Sequence, residues 1–418
     1  VCVNLYQFEK IAAKEDATIE ELIENIDIGG PTMIRAAAKN YQDVAVVTSA
    51  SDYPALLEEL QKNKGALSLD THWTLAKKAF ATTAAYDRAI SAKLSGIYVE
   101  QGIFETRTET PPAVLDIRMS RKASLRYGEN PHQSAALYAA GDAGVASGEQ
   151  LHGKELSYNN LVDLDAAWQL IQEFDAPATA IIKHTNPCGC AESSSLAASY
   201  RAALEADPVS AFGGVLAFNR EVDEETAIEL AKIFTEAIAA PSFTPGALAV
   251  LTAKKNLRLV RVKPSDEPVV IKSITGGFLV QTADRARLDR DTAKVVTSRA
   301  PSSEEWAALE FGWKVVKHVK SNAIVYARAG QSVSVGAGQM SRVDSVKVGA
   351  MKSVLPLKGT ILASDAFFPF PDGVEEAARH GITAVVQPGG SVKDQEVIEA
   401  ANRLGLAMLF TGIRHFRH

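Results

Sequence analysis

The sequence predicts an α/β fold with mostly parallel sheets, on two observations. Short apolar runs rich in β-branched residues alternate with longer amphipathic segments, the pattern of strands connected by crossover helices. Hydrophobic residues make up 46% of the 418 residues, enough for the cores of two or three domains, and no apolar run approaches the roughly 20 residues of a membrane span.

The individual elements follow from local periodicity. Runs rich in Val, Ile and Ala predict strands, in chain order VCVNLY, VAVVTS, ATAIIKH, GVLAFN, AIVYAR, TILAS and ITAVVQP. Apolar residues spaced three and four apart predict helices over 17–25, 53–64, 72–97, 160–174, 191–206, 223–238, 303–319, 372–380 and 393–404. The polar, proline-containing stretch TRTETPPAV then indicates a domain boundary, which we place between residues 108 and 109.

Charge and cysteine content exclude several classes of protein. A net charge of -6 argues against nucleic acid as the main partner, because binding to the phosphate backbone needs clustered Lys and Arg. Three cysteines are too few for a disulfide framework, so a reducing cytoplasm is the expected location. The chain begins at Val1, inside a strand-like run and without a methionine, which suggests a shortened N-terminus.

The segment AIIKHTNPCGCAES combines a buried strand with two candidate catalytic residues. It places Lys183 and His184 at the predicted end of the strand, before a Pro and Gly turn and a helix. A permanent cation beside a group that titrates near neutrality suits a general base next to a stabiliser of a developing oxyanion. Two surface residues at a strand end would give the same local sequence.

The same segment raises a zinc hypothesis. Cys188 and Cys190 lie close together, and Cys190 with Glu192 resembles the first half of a zinc deaminase signature. That site also needs a downstream P-C-x-x-C, and no cysteine follows Cys190. We therefore expect no catalytic metal and two small buried thiols beside a turn.

Several further stretches contain anion-binding or ligand-binding residue types. Guanidinium groups suit phosphate oxygens, and the candidates are Arg126 with Tyr127 in SLRYGENPHQ, Arg342 in GAGQMSR and Arg414 in RHFRH. Taken singly, an arginine in such a stretch is more often a solvated surface residue than an anion ligand. The loop SDAFFPFPDG could grip a flat heterocycle or pack on a sheet, and DIGGPTMIRAAAKN could hold a phosphate at a helix N-terminus or form an ordinary helix cap.

Taken together, the motifs resemble one family. RYGENPHQ, LHGKELSYNNLVDLDAAW, KHTNPCG, DPVSAFGG, KSNAIV, GAGQMSR, SDAFFPFPD and RHFRH occur in the order found in the bifunctional AICAR transformylase/IMP cyclohydrolase family of bacterial type. The resemblance covers essentially the whole chain. It implies formyl transfer from 10-formyltetrahydrofolate to AICAR in purine biosynthesis, with no catalytic metal.

The resemblance also implies a fold and an assembly. Residues 1–108 would form the C-terminal part of a methylglyoxal-synthase-like cyclohydrolase domain. Residues 109–418 would form a transformylase region of two cytidine-deaminase-like α/β/α layers that lack zinc. The protein would be a homodimer in which Arg126 and Tyr127 bind the substrate phosphate across the interface.

The remaining functional residues are carried over from matching motif positions. Lys183 would stabilise the transition state and His184 would be the base. The resemblance implies contacts to the nucleotide from Asn160, Asp207, Asn322, Arg342, Phe367 and Arg414. It implies contacts to the folate from Val343, Asp372, Ser391 and Val392.

The first domain matches only part of a cyclohydrolase site. The resemblance assigns Asn4, Tyr6, Asp27 and Ile28 to that site, with Lys39 as its acid/base residue. The family has a further N-terminal segment of roughly a hundred residues that the sequence lacks, so we expect ring closure to be slow or absent with this chain alone. Two other hypotheses stay open: a zinc hydrolase or deaminase on the same scaffold, and a non-catalytic nucleotide-binding protein.

Overall fold

The computed structural model describes residues 1–107 and 111–418, and the chain divides into two units, Val1–Leu115 and Asp116–His418. The domain boundary predicted between residues 108 and 109 lies outside the described residues. The elements confirm a mixed α/β fold class. None of the described helices is both long and apolar enough to cross a membrane.

Unit 1 is mainly helical in its described part. Its elements are α1 (Phe8–Ala12), α2 (Ile19–Glu24), α3 (Gly29–Lys39), α4 (Tyr53–Lys62), α5 (Leu69–Ser95), β1 (Ile97–Glu100) and β2 (Ile103–Thr106). Buried Ile34 and Ala38 of α3 pack against Ala76 and Ala79 of α5. β1 and β2 form an antiparallel hairpin.

Two predicted strands of unit 1, VCVNLY and VAVVTS, are not strands. Cys2 and Val47 form one isolated parallel bridge, in which Val3 N donates to Val47 O at 3.0 Å and Val47 N to Val1 O at 2.8 Å. A strand needs a longer ladder of hydrogen bonds, and within the described residues these two segments add to this bridge only the bond from the Val1 amine to Ala45 O at 2.8 Å. β-Branched composition indicates a surface suited to a sheet but does not supply the partner.

Unit 2 begins with a small hairpin and continues with alternating strands and helices. The elements of its first part are β3 (Ser120–Leu125), β4 (Ala135–Ala139), α6 (Gly144–Ser147), β5 (Glu149–His152), α7 (Tyr158–Ile171), β6 (Ala178–Lys183), β7 (Asn186–Glu192), α8 (Leu196–Ala206), α9 (Pro208–Ala211), β8 (Gly214–Phe218), α10 (Glu224–Leu230), β9 (Thr235–Ala240), α11 (Pro245–Leu251) and β10 (Arg258–Arg261). Those of its second part are β11 (Val269–Ile274), β12 (Gly277–Thr282), β13 (Lys294–Val295), α12 (Ser303–Val316), β14 (Ile324–Arg328), β15 (Gln331–Gly336), α13 (Arg342–Lys352), β16 (Ile361–Ser364), α14 (Asp372–Arg379), β17 (Ala384–Gln387), α15 (Asp394–Arg403) and β18 (Ala407–Phe410).

The strands of unit 2 form a mixed sheet, so the prediction of a mostly parallel sheet is wrong. Within the described residues the large sheet has twelve strands in the order β13-β18-β17-β16-β14-β15-β7-β6-β8-β9-β10-β5. Among the described strands, parallel pairing is confined to β8–β9–β10 and β16–β17–β18. Two-residue turns join β6 to β7 and β14 to β15, and so short a connection can only reverse the chain.

The sheet consists of two halves with the same strand arrangement. Across the sheet, each half has a hairpin (β7-β6 or β15-β14), then three parallel strands (β8-β9-β10 or β16-β17-β18), and then an antiparallel edge strand (β5 or β13). The halves meet where β7 pairs antiparallel with β15. The two parallel sets therefore run in opposite directions, and their carboxyl ends lie at opposite edges of the sheet. An edge in this sense is the row of strand ends along one side of the sheet, as distinct from an edge strand.

Helices cover both faces of the sheet. α7 and α12 pack on one face, with Trp168 and Trp313 in their shared core. The opposite face is covered by α8, α10 and α11 over the first half and by α13, α14 and α15 over the second. Adjacent Ile181 and Ile182 of β6 point into opposite cores, as the two-residue period of a strand requires.

Two predicted helices are shorter than the sequence pattern indicated. The helix predicted over 191–206 begins at Leu196, because residues up to Glu192 belong to β7. The helix predicted over 223–238 ends at Leu230 and is followed by β9. β9 has the alanine-rich sequence TEAIAA, which favours a helix, but burial between β8 and β10 overrides that propensity.

A buried polar network joins α7, α12 and the C-terminal tail. Glu173 Oε1 lies 2.8 Å from Lys317 Nζ and 3.1 Å from His318 Nε2, while Arg417 Nη1 lies 3.3 Å from His318 Nδ1. Neutral His318 can donate to Glu173 and accept from Arg417, whereas its protonation would remove that acceptor. Burial, with the Arg417 charge, lowers the pKa of His318 to about 4, although Glu173 opposes the shift.

This network predicts a loss of stability in mild acid. The unfolded chain binds a proton at His318 below its ordinary pKa of 6.5, whereas the folded chain does so only near 4. The free energy of unfolding should therefore fall by about 3 kcal/mol as the pH drops through this window. Urea denaturation at pH values between 7 and 4 measures this change in the free energy of unfolding. His318→Gln should have a shallower pH dependence, and His380→Gln, directly after α14, should not. Equal slopes for both variants and the parent would contradict the assignment.

Candidate active site

One edge of the large sheet carries most of the predicted transformylase residues. The parallel strands β16, β17 and β18 end at this edge, β14 begins there, and β15 and β6 end there, because each pairs antiparallel with its neighbour. β8 begins at the same edge. The connections at this edge contain Lys183, His184, Asp207, Asn322, Arg342, Val343, Phe367, Asp372, Ser391, Val392 and Arg414.

Lys183 and His184 lie at a hairpin turn, not before a Pro and Gly turn and a helix as the sequence predicted. Lys183 pairs with Asn186, so the turn consists of His184 and Thr185 alone, and the Pro and Gly residues that follow belong to β7. Positive φ at both turn residues, 50° and 63°, is the signature of a type I′ turn. The turn carries the exposed His184 imidazole past the end of β6.

The backbone of this turn is strained. A left-handed conformation costs roughly 1–2 kcal/mol for a residue with a Cβ, and Thr185 is in addition β-branched. Two side chains hold the turn. Asp163 Oδ1, on α7, accepts from Thr185 N at 2.7 Å. Asn186 Nδ2 donates to His184 O at 3.2 Å, while Asn186 Oδ1 accepts from Lys320 N at 3.0 Å.

The Lys183 ammonium is fixed by backbone carbonyls. Its Nζ donates to Phe212 O and to Gly213 O, each at 3.0 Å, in the DPVSAFGG segment before β8. Gly213 has a φ of +66°, a conformation that glycine adopts without strain. Three donors on the ammonium and two carbonyl contacts leave one N–H for a ligand.

A cavity of about 340 Å³ opens beside these two residues. Asp207 lies on its wall, where its Oδ1 caps α9 by accepting from Ser210 N at 2.9 Å. Lys352 Nζ lies 3.8 Å from Asp207 Oδ2 on the same wall. The wall therefore offers both cationic and anionic groups to a polar ligand.

Arg342 lies behind the cavity in a buried ion pair. Its Nη1 donates to Ser364 Oγ at 2.8 Å and to Asp365 Oδ1, and its Nη2 donates to Asn322 Oδ1 at 2.8 Å. Asn322 Nδ2 donates in turn to Gln339 O at 2.9 Å, and Gln339 lines the cavity. In this structure the guanidinium is thus bonded to protein groups and orients Asn322.

The loops after β16, β17 and β18 differ in how much they expose. In the loop after β16, Phe368 is buried and Phe370 is 56% exposed, so one ring packs in the core and the other is open to solvent. The predicted Phe367, which directly precedes Phe368, is half-buried. After β17, Ser391 Oγ accepts from Lys393 N at 3.1 Å and Val392 is 99% exposed.

The remaining folate and nucleotide candidates are also accessible or have local contacts. Asp372 Oδ1 accepts from Gly373 N at 2.8 Å at the start of α14, and the half-buried Val343 lies next to Arg342 on α13. The exposed Arg414 guanidinium stacks over the Phe416 ring at 4.5 Å.

The Asn160 side chain is part of a helix cap. Ser157 N donates to its Oδ1 at 3.2 Å and its own N donates to Ser157 Oγ at 3.1 Å, a reciprocal capping box at the start of α7. The same helix supplies Asp163 to the hairpin turn. The capping box thus fixes the end of α7 that reaches the site.

The stretch RYGENPHQ forms the loop between β3 and β4. Arg126 is exposed, with its guanidinium 5.6 Å from the half-buried Tyr127 ring, and it lines a surface hollow of about 590 Å³ rather than the cavity beside Lys183. The loop is ordered by its own bonds, including Gly128 N to Gln133 O at 2.9 Å. Asn159 Nδ2 ties it to α7 by donating to Glu129 O at 3.3 Å.

The cysteines of β7 are poor metal ligands and poor nucleophiles. Burial raises the pKa of the Cys188 thiol to about 12, and burial also raises that of fully buried Cys190. Both thiols are therefore protonated at neutral pH. Among the residues that the structure describes, no cluster of three His, Cys, Asp or Glu side chains could hold a metal ion.

The cyclohydrolase candidates of unit 1 lie at both ends of α3. Asp27 Oδ1 accepts from Gly30 N at 2.7 Å and its Oδ2 from Tyr6 N at 3.3 Å, so this carboxylate caps the helix N-terminus. Asn4, Tyr6 and Ile28 are exposed nearby. Lys39 lies at the opposite end, about 16 Å of helix away, and the structure does not bring it next to Asp27.

Several residues that shape the site were not predicted from the sequence. Asp163, Asn186 and Asp365 hold the turn and Arg342 through hydrogen bonds, and Phe212 and Gly213 act through their carbonyl groups. All lie inside the quoted motifs, so position in a motif was the available signal. Backbone acceptors carry no residue-type signal at all.

Comparisons with known proteins identify the family. A family model described as "AICARFT/IMPCHase bienzyme" matches residues 37–352. The chain is 51% identical over 424 residues to the "Bifunctional purine biosynthesis protein PurH" of Desulfitobacterium hafniense (strain DSM 10664 / DCB-2), covering 100% of this chain and 82% of that relative. The proteins of the same name from Sorangium cellulosum (strain So ce56) and Bacillus cereus (strain AH820) are 52% and 50% identical, and this chain covers 82% and 81% of them. The family indicated by the motifs is therefore confirmed, and the chain belongs to the AICARFT/IMPCHase bienzyme family.

Proposed function

We propose that this chain transfers a formyl group from 10-formyltetrahydrofolate to the 5-amino group of AICAR at the cavity beside β6. The observation that carries the proposal is the adjacency of a fixed Lys183 ammonium and an exposed His184 imidazole at that cavity. Membership of the AICARFT/IMPCHase family, whose relatives are named purine biosynthesis proteins, supports the reaction.

His184 acts as the general base. The 5-amino group of AICAR is a weak nucleophile because its lone pair is delocalised into the imidazole ring, so proton removal has to accompany its attack on the formyl carbon. The His184 imidazole has no described hydrogen-bond partner in the protein and can accept this proton. General-base assistance is the contribution expected of a titratable group at this position.

Lys183 stabilises the negative charge that develops on the formyl oxygen. Its ammonium is held by two carbonyl oxygens before the substrates arrive, so little reorganisation is needed during the reaction. The remaining N–H of the Lys183 ammonium can supply a proton to the folate nitrogen that leaves the formyl carbon. The bound folate supplies the formyl group, and the chain's own residues supply charge stabilisation and proton transfer.

The two substrates approach the edge from different loops. We place AICAR against Asn160, Asp207, Asn322, Arg342, Phe367 and Arg414. We place the folate against Val343, Asp372, Ser391 and Val392, where the fully exposed Val392 and the exposed Phe370 offer apolar surface to a flat ring system. The phosphate of AICAR is bound by Arg126 and Tyr127 of a second copy in a homodimer, which accounts for an exposed arginine in an ordered loop.

The finer domain assignment is part of the same proposal. The two matching halves of the large sheet support two cytidine-deaminase-like α/β/α layers in the transformylase region. We assign unit 1 to a methylglyoxal-synthase-like cyclohydrolase domain, with Asn4, Tyr6, Asp27, Ile28 and Lys39 at its site. The capped N-terminus of α3 is the part of that site which the contacts of unit 1 support.

The base assignment predicts a large effect of one substitution. His184→Ala should lower kcat for formyl-AICAR formation by about 100-fold to 10,000-fold, with the Kd for AICAR largely kept. Lys183→Ala should be at least as damaging. Tetrahydrofolate release measures turnover, and His380→Ala, directly after α14, is the histidine control. A His184→Ala protein with near-normal kcat would remove the assignment.

The shared phosphate site predicts complementation between inactive variants. Arg126→Ala and Lys183→Ala chains should each be nearly inactive, but mixed dimers contain one site with both native residues. Mixing them should therefore restore up to about a quarter of parental activity, if subunits exchange at random and each site acts independently. Subunit exchange is followed with differently tagged chains. An inactive mixture despite demonstrated exchange would show that the loop does not act across an interface.

A further inference from the structure

The turn that carries His184 differs from the other tight turns of the chain. Within the described residues, two-residue turns also join β1 to β2, β11 to β12 and β14 to β15. Their second residues are Gly102, Gly276 and Gly330, all with positive φ. The turn between β6 and β7 has Thr185 at this position with a φ of 63°. A β-branched residue thus occupies a conformation for which the chain elsewhere uses glycine.

Asp163 compensates for this unfavourable choice. Its Oδ1 accepts a hydrogen bond from Thr185 N at 2.7 Å, and no described side chain accepts from the amide of the glycine in the other three turns. A carboxylate bonded to an amide is a charge-assisted, short contact. The contact thus holds Thr185 in the left-handed conformation that its side chain disfavours.

The helix that carries Asp163 is a rigid support. Its neighbour Leu164 is fully buried, and Trp168 one turn further is 4% exposed in the core shared with α12. The capping box of Ser157 and Asn160 fixes the first turn of the same helix. Asp163 therefore fixes the turn relative to the core, because α7 is held by its packing and its cap and the Thr185 amide is hydrogen-bonded to Asp163.

We propose that Asp163 is a positioning residue for formyl transfer, which acts by holding the His184–Thr185 turn in its left-handed conformation so that the imidazole of His184 stays at the mouth of the cavity. This inference rests on the proposed function, because it concerns the base of that reaction. Asp163 is half-buried, is bonded to the Thr185 amide and is not among the residues that line the cavity, so the role needs no contact between Asp163 and substrate.

Steady-state kinetics of three variants provide the first test. Asp163→Ala removes the acceptor and should lower kcat about 10-fold to 100-fold with the KM for AICAR within about threefold, since loss of orientation affects the reaction more than ground-state binding. Asp163→Asn keeps an oxygen acceptor and should recover most of kcat. Asp165→Ala removes a carboxylate two residues away on the same helix, bonded to Gln169, and should match the parent.

A double variant separates positioning from a general effect on folding. Glycine adopts positive φ without strain, so the turn no longer needs the carboxylate once Thr185 is replaced. The loss of kcat caused by Asp163→Ala should therefore be at least about tenfold smaller in the Thr185→Gly background, where the double variant is compared with Thr185→Gly alone, than in the parent. Circular dichroism and thermal melting check that each variant is folded.

The outcomes distinguish this inference from the proposed function. Turnover lost in Asp163→Ala and regained in the double variant supports positioning. A normal kcat in folded Asp163→Ala, or no recovery in the folded double variant, overturns the positioning role while an inactive His184→Ala still supports the base. If His184→Ala keeps near-normal kcat, the proposed base is wrong, and the positioning of that base fails with it.

Discussion

The antiparallel contact between β7 and β15 is the constraint on which the rest of unit 2 depends. Glu192 N donates to Gly330 O at 2.9 Å, and Ser332 Oγ accepts from Cys190 N at 2.8 Å and donates to Cys190 O at 3.1 Å. These bonds merge two similar half-sheets into one sheet. Because the contact is antiparallel, the end of the β6–β7 hairpin faces the same edge as the carboxyl ends of β16, β17 and β18. The catalytic candidates of one half thereby lie at the same edge as the loops of the other half that contain the binding candidates.

The site at this edge is organised by backbone groups and buried ion pairs. Lys183 is held by carbonyl oxygens, the His184 turn is held by carboxylate and amide side chains, and buried Arg342 is neutralised by buried Asp365. Each charged group thus has partners before any ligand binds, which lowers the cost of keeping it at the edge of a hydrophobic core. Rigid placement of this kind suits a reaction that depends on orientation and proton transfer.

Helix α7 links the core to the candidate site. One face of it packs in the core with α12, its N-terminal cap contains Asn160, and its side chain at 163 reaches the turn. Its C-terminal end leads into Glu173 and the buried contacts of His318 and Arg417. A displacement at either end of the helix can therefore shift groups at this edge of the sheet, because well-packed interiors transmit small displacements.

The sequence by itself determined the α/β class and the family, and it named the candidate site residues, because strand composition, helix periodicity and ordered motifs are local properties. It also correctly located β6, β8, β14, β16 and β17, whose apolar runs are continuous. It failed at β7, where Pro187 and Gly189 read as a turn, and at β9, where alanines read as a helix. Only the tertiary structure decided that the sheet is mixed, that the two halves share an edge, and that Asp163 supports Thr185. These features depend on hydrogen bonds between segments distant in sequence, and no local pattern encodes which distant partner a strand or a backbone amide will meet.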